Sequence, residues 1–199
     1  MSWTRRRVLL AGGALTGVSM AGLLADPARS RAAAREWAQG RVSAHEDAAA
    51  RGRFIGFKNL HTDERLEVEY FRNGGYVPEA FSAIEGCLRD FRTGERHAID
   101  AHLMDYLTDV ARALGVDPSF SVISGYRSPR TNAALRERSS GVAQHSLHMD
   151  GRAIDVRLAG VDCARLAAHA LDLRRGGVGY YRASDFVHLD AGAFRTWRG

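Results

Sequence analysis

The chain has 199 residues, 45% hydrophobic and 26% charged, enough for one domain with a real core and too short for two comfortable ones. Its formal charge of +5 and pI near 9.7 invite a nucleic-acid reading, and the distribution of charge excludes it. Residues 1–34 carry Arg5, Arg6, Arg7, Arg29 and Arg31 against Asp26 alone, so the rest of the chain is left near neutral at +1.

The N-terminus reads as a leader. Paired arginines in Thr4-Arg5-Arg6-Arg7 stand directly before an apolar run, Val8 to Leu24, that glycines interrupt. The run is mild and short of the roughly 20 apolar residues a spanning helix needs. Small residues follow in Ala28-Arg29-Ser30 and Ala32-Ala33-Ala34. The expectation is an export signal over 1–34, of twin-arginine type, and a periplasmic or exported protein with no membrane anchor after cleavage; an uncleaved N-terminal anchor is the alternative. Residues 35–52 are polar and alanine-rich, a linker, and a domain over 53–199 follows.

Within that domain Arg53 to Lys58 reads as a strand. Arg65 to Phe71 alternates as a second, with Leu66, Val68 and Tyr70 opposite Arg65, Glu67 and Glu69. Asn73-Gly74-Gly75 is a turn. Pro78 opens a helix with Phe81, Ile84, Leu88 and Phe91 on one side. Another helix runs from Asp100 to Leu114, where Gly115 ends it. Ser119 to Ser124 is a short strand and Pro129 to Arg138 a helix. Gly151 supplies a turn before a strand from Ala153 to Leu158, whose period of two sends Ile154, Val156 and Leu158 to the core and Asp155 to the other face. A helix from Asp162 to Leu173 and a hairpin of Gly177–Tyr181 with Phe186–Asp190 complete the pattern. Trp197 reads as core packing. The expected class is α+β, a small antiparallel sheet packed with helices. Export leaves a disulfide between Cys87 and Cys163 open, but they lack the spacing of a zinc knuckle and read as buried free thiols.

Three residues carry the chemistry. His148 stands before the Gly151 turn, Asp155 lies seven residues on, and His188 follows 33 residues after that. Two imidazoles and one carboxylate leave a divalent zinc with residual charge about +1 and one open position, the requirement for hydrolytic work. His145 could also coordinate, three residues before His148, but it is not needed. His45, His61, His97, His102 and His169 have no partner pattern. Asp190 is a candidate partner for a ligand histidine.

Ser146-x-His148-x-x-Gly151-x-Ala153-x-Asp155, with Asp185-Phe186-Val187-His188 downstream, resembles the LAS zinc peptidases (lysostaphin, D-Ala-D-Ala peptidases, hedgehog fold). Ser124-Gly125-Tyr126-Arg127-Ser128, Gly141-Val142-Ala143 and Gly176-Gly177-Val178-Gly179 narrow the resemblance to the exported murein endopeptidase K group, over residues 53–199. The resemblance implies one zinc per chain on His148, Asp155 and His188. It implies that Asp185 moves the proton of the attacking water and that Arg127 contacts substrate or the developing oxyanion, with Ser146 orienting His148 or touching substrate. It implies a monomeric enzyme that hydrolyses peptide cross-links in peptidoglycan, with bond preference open. A D,D- or L,D-carboxypeptidase on stem peptides and a non-catalytic, zinc-stabilised cell-wall binding module remain as rivals. One difficulty is visible at once: residues three apart on a flat strand face opposite sides, so Asp185 must lie in a loop or on a bend to share a site with His188.

Overall fold

The structure, a computed structural model, describes residues 52–138 and 141–199; the leader and all of the linker but Gly52 lie outside them. Among the described residues, eight strands and four helices follow in the order β1 (Arg53–Asn59), β2 (Arg65–Arg72), β3 (Gly75–Tyr76), α1 (Pro78–Cys87), α2 (Ala101–Ala113), β4 (Ser119–Ser124), α3 (Pro129–Arg138), β5 (Ala153–Leu158), α4 (Cys163–Leu173), β6 (Gly177–Tyr181), β7 (Phe186–Asp190) and β8 (Arg195–Arg198).

All eight strands join one open sheet in the order β3-β2-β1-β4-β5-β7-β6-β8. The expectation of a small antiparallel sheet is corrected here, because the sheet is large and mixed: β1 runs parallel to β4, and β6 parallel to β8. Parallel neighbours need a long crossover, and α1 and α2 supply it between β1 and β4.

The period-two pattern of the strands sorts the sheet into two faces. Phe120, Val122, Ile154, Val156, Leu158, Val178, Val187 and Leu189 are buried in one core with Leu103, Leu107 and Val110 of α2 and Leu166 and Ala170 of α4. The Tyr106 hydroxyl donates to the Ala170 carbonyl at 3.0 Å and ties the two helices together. Side chains such as Leu103 and Leu107 recur four apart, as an apolar helical stripe requires. Asp100 caps α2, accepting from the His102 amide, and Asp162 caps α4, accepting from that of Arg165. Cys87 and Cys163 are buried and free. No helix among the described residues is long and apolar enough to cross a membrane.

The opposite face carries the polar strand positions. A bulge between Val122 and Ser124 shifts the β4 register, so that Ser124 falls opposite Asp155; such bulges re-aim the strand that follows. Asp155 pairs in register with His188, His188 with Gly179, and Gly179 with Trp197. The result is a single row across five strands: Ser124, Asp155, His188, Gly179, Trp197.

Candidate active site

His148 reaches this face from a 3-10 turn, Leu147–Asp150, that ends at Gly151 in the left-handed region, φ 64°. Only glycine fits there: a Cβ would lie 2.0 Å from the Ala98 carbonyl oxygen. The His148 carbonyl accepts from the Arg127 amide at 3.1 Å, so the two segments that the sequence singled out are tied through their backbones. Asp155 and His188 come from adjacent central strands, which fix them more tightly than loops would.

The structure brings His148, Asp155 and His188 together, all three buried. His148 Nε2 lies 3.2 Å from His188 Nδ1 and 3.3 Å from Asp155 Oδ1, and His188 Nδ1 lies 2.8 Å from the same oxygen. Ligands on a tetrahedral zinc at about 2.0–2.1 Å are about 3.3 Å apart. The trio therefore stands near the spacing a metal imposes. Donor directions agree. His148 Nδ1 donates to the Gly125 carbonyl at 2.8 Å, which leaves the Nε2 lone pair facing the trio. Burial also pushes His148 down, against the nearby Asp155, and so favours the neutral ring that binds metals. For His188, burial acts downward, but hydrogen bonds to Asp155 and Asp190 outweigh it and raise the ring to about 9. Asp155 is held far below the usual carboxylate range: burial opposes this, and the two histidines prevail.

Behind His188 stands Asp190, fully buried. Its Oδ2 meets His188 Nε2 at 3.0 Å and Arg195 at 2.7 Å; its Oδ1 accepts from Arg195 at 3.0 Å and from the Gly177 and Gly192 amides at 3.1 and 2.8 Å. Five donors converge on one carboxylate. The glycines of β6 make room for this: a Cβ on Gly177 would lie 2.3 Å from Asp190 Oδ2, and one on Gly179 would lie 2.5 Å from the Trp197 ring.

Arg127 lies beside the trio, nine-tenths buried, with a terminal nitrogen 3.6 Å from Asp155. Its other contacts, to Asn132 and Ser124, are long at 3.4 Å, and its Nε has no hydrogen-bond partner. Burial lowers its pKa and Asp155 opposes that. An under-bonded, desolvated guanidinium is a ready binding group for an anion. Its approach is prepared by Asp90, buried at the N-terminus of α3, which accepts from the Ser128 amide at 2.9 Å and hydroxyl at 2.7 Å.

The trio opens into a pocket of about 380 Å³, also lined by Arg127, Ser146, Tyr181, Phe186 and Trp197. Ser146 precedes the 3-10 turn and its side chain makes no capping bond. His145 lines the rim but does not join the trio. A larger hollow of about 830 Å³ lies elsewhere, around Arg53, Phe54 and Arg112. No other cluster of metal-binding side chains occurs among the described residues, so chemistry and not volume locates the site.

Asp185 is placed otherwise than the resemblance implies. It sits in the turn before β7 with φ 50°, exposed, its carboxylate 3.2 Å from Arg157 Nε. It does not line the pocket, although its neighbour Phe186 does. The reason is the strand geometry already noted: three positions before His188 the chain must bend, and here it bends toward Arg157. Trp197 also departs from expectation. It lies on the strand β8, unforeseen in the sequence, half-buried against the pocket and not in the core. A period-two signal was present in Gly177 and Gly179, glycines on the face that carries His188 and Asp190, but without the register nothing said what they accommodate.

Residues 47–197 match the family described as peptidoglycan L,D-endopeptidase MepK. The chain belongs to that family. The peptidoglycan L,D-endopeptidase MepK of Escherichia coli is 41% identical over 147 residues, 74% of this chain and 81% of that protein. The Haemophilus influenzae protein named "Probable peptidoglycan L,D-endopeptidase MepK" is 41% identical over 148 residues, 74% of this chain and 80% of its own length.

Proposed function

We propose that the chain is a zinc-dependent peptidoglycan endopeptidase that hydrolyses an L,D bond in peptide cross-links. The observation that carries this reading is the buried trio at near-tetrahedral spacing, open to a pocket that a desolvated arginine borders. Its membership in the family and the names of its relatives support the substrate and the L,D bond. The paired arginines and apolar run of residues 5–24 support periplasmic delivery through a twin-arginine signal, to the compartment where the substrate lies.

His148, Asp155 and His188 would hold one zinc, which when bound supplies Lewis acidity and an acidified water. The protein's part is to hold these three side chains rigid, to offer Arg127 to negative charge on the substrate or the developing oxyanion, and to carry a proton from water to the leaving amine. We assign that last task to Asp185. Its backbone is held in the left-handed region, which costs a non-glycine residue about 1–2 kcal/mol. To serve in this way, its carboxylate must leave Arg157 and turn toward the pocket that its neighbour Phe186 lines. Ser146, at the rim, would contact substrate. The working unit we propose is a monomer.

The test is digestion of purified sacculi by the purified protein, with and without a chelator, followed by mass spectrometry of released muropeptides. Chelator-sensitive loss of L,D cross-linked dimers is the expected result. Loss of terminal residues alone would mean a carboxypeptidase, and binding without any cleavage by zinc-loaded protein would mean a binding module.

A further inference from the structure

The pocket lining has two unlike parts. Arg127 makes one of them cationic. The other is aromatic: Tyr181 and Phe186 stack with ring centroids 4.5 Å apart, and the Trp197 indole donates to the Tyr181 hydroxyl at 2.9 Å. The Trp197 ring centroid is 5.1 Å from that of His188. This wall is built into the sheet. Trp197 lies directly over Gly179, where any Cβ would meet Cε2, Nε1 and Cζ2 at 2.5–2.7 Å, so the ring can rest there, next to His188, only because that strand position has no side chain. All three aromatics are half-buried and line the pocket, and the Arg195 guanidinium lies 5.2 Å from the Trp197 ring centroid.

We propose that Trp197, Tyr181 and Phe186 form a substrate subsite that takes the aliphatic side-chain stretch of the residue next to the scissile amide in a peptide cross-link. This rests on the peptidase reading given above. Two observations choose the ligand. The wall adjoins His188, and consecutive residues of a peptide are spaced by about 3.8 Å, so whatever touches Trp197 belongs to a residue within one or two positions of the bond being cut. The indole N–H is already committed to Tyr181, so the Trp197 ring itself offers an apolar face suited to methylene groups and no free donor of its own. With Arg127 in the same lining, the pocket can take both an aliphatic stretch and a carboxylate of the cross-link peptide.

The full chain holds three tryptophans, Trp3, Trp37 and Trp197. Trp3→Phe with Trp37→Phe leaves Trp197 as the sole indole reporter. Zinc-free, so that no turnover intervenes, this chain is titrated with a purified glycan-free cross-linked peptide dimer while indole emission is followed. A saturable blue shift is expected, and peptide-free glycan chains should give none. In zinc-loaded protein, Trp197→Ala should raise KM about tenfold, the worth of roughly 50–60 Å² of apolar contact. Its kcat should stay within about threefold and its zinc content at one per chain, and Trp197→Phe should restore most of the KM. Gly179→Ala, which displaces the ring without removing it, should raise KM in the same direction. A shift produced by glycan and not by peptide would overturn the proposal in favour of sugar recognition. An unchanged KM in folded, zinc-loaded Trp197→Ala would overturn it outright. Absence of turnover in the unsubstituted chain, with the peptide-induced shift intact, would instead sink the peptidase reading and leave the subsite standing.

Discussion

Asp190→Asn is the sharpest structural perturbation available near the site, because it changes no volume. Every group around Asp190 is a donor: His188 Nε2, two contacts from Arg195, and the Gly177 and Gly192 amides. A carboxylate offers only acceptors to that ring of donors. An asparagine must turn its NH2 toward at least one of them, so one buried donor faces another donor. The bond that fixes the His188 tautomer, with Nε2 protonated and Nδ1 aimed at Asp155 and His148, is then weakened or lost. Removing such a supporting partner typically costs 10–100-fold in metal affinity, about 1.4–2.7 kcal/mol. The fold should lose about 1–3 kcal/mol more for the unsatisfied buried donor. Zinc affinity is measured by competition with a chromogenic chelator, and the stability of metal-free protein by thermal melting, so that the two losses separate. Arg195→Gln should lower zinc affinity in the same direction but less. If Asp190→Asn binds zinc within twofold of the unsubstituted protein, Asp190 does not position His188 and the argument from the donor ring is wrong.

Two further outcomes follow. Asp185→Asn should cut muropeptide release by about 10²–10⁴-fold while zinc remains bound at one per chain; full activity would remove Asp185 from the mechanism. Asp90 gives a pH test of stability. Burial alone would raise its carboxyl, but hydrogen bonds from Thr131, Ser128 and the Arg92 amide hold it down at about 2, below an ordinary 3.8. A depressed carboxyl stabilises the fold above its unfolded value and loses that contribution as pH falls toward 2, here up to about 2 kcal/mol. Asp90→Asn should therefore melt below the unsubstituted protein at pH 6, and the gap should narrow to about a third of that by pH 2.5. A gap that does not narrow would mean that Asp90 stabilises through packing alone.

The metal trio was legible because its residue types and local setting are unusual together: a histidine before a glycine turn, an aspartate on the polar side of an alternating strand, and a second histidine on a late strand. Alternation also told which side of β5 faces the core, since Ile154, Val156 and Leu158 stand against Asp155. What alternation cannot give is the partner of each strand. The parallel pairing of β1 with β4 joins residues more than 60 apart, and nothing local to Gly56 points to Ser119. For the same reason the row from Ser124 to Trp197 was invisible, and with it the role of Gly179. Short β8 escaped notice because Arg195–Arg198 is too brief to show a pattern, and its place is fixed by pairing with β6. Asp190 was readable only as a residue two after a histidine; the four groups that complete its surroundings come from separate turns and strands. At Asp185 the local objection, that three residues span opposite faces, agrees with what the backbone does.

The central claim is that peptide-bond cleavage depends on one zinc held by His148, Asp155 and His188. The most direct measurement is titration of chelator-stripped protein with zinc while release of L,D cross-linked muropeptides from sacculi is followed. The account predicts negligible release without metal and a linear rise that breaks at one zinc per chain. It also predicts the same curve for His145→Ala and no activity at any equivalence for His148→Ala. Full release from stripped protein, or undiminished release from His148→Ala, would contradict it.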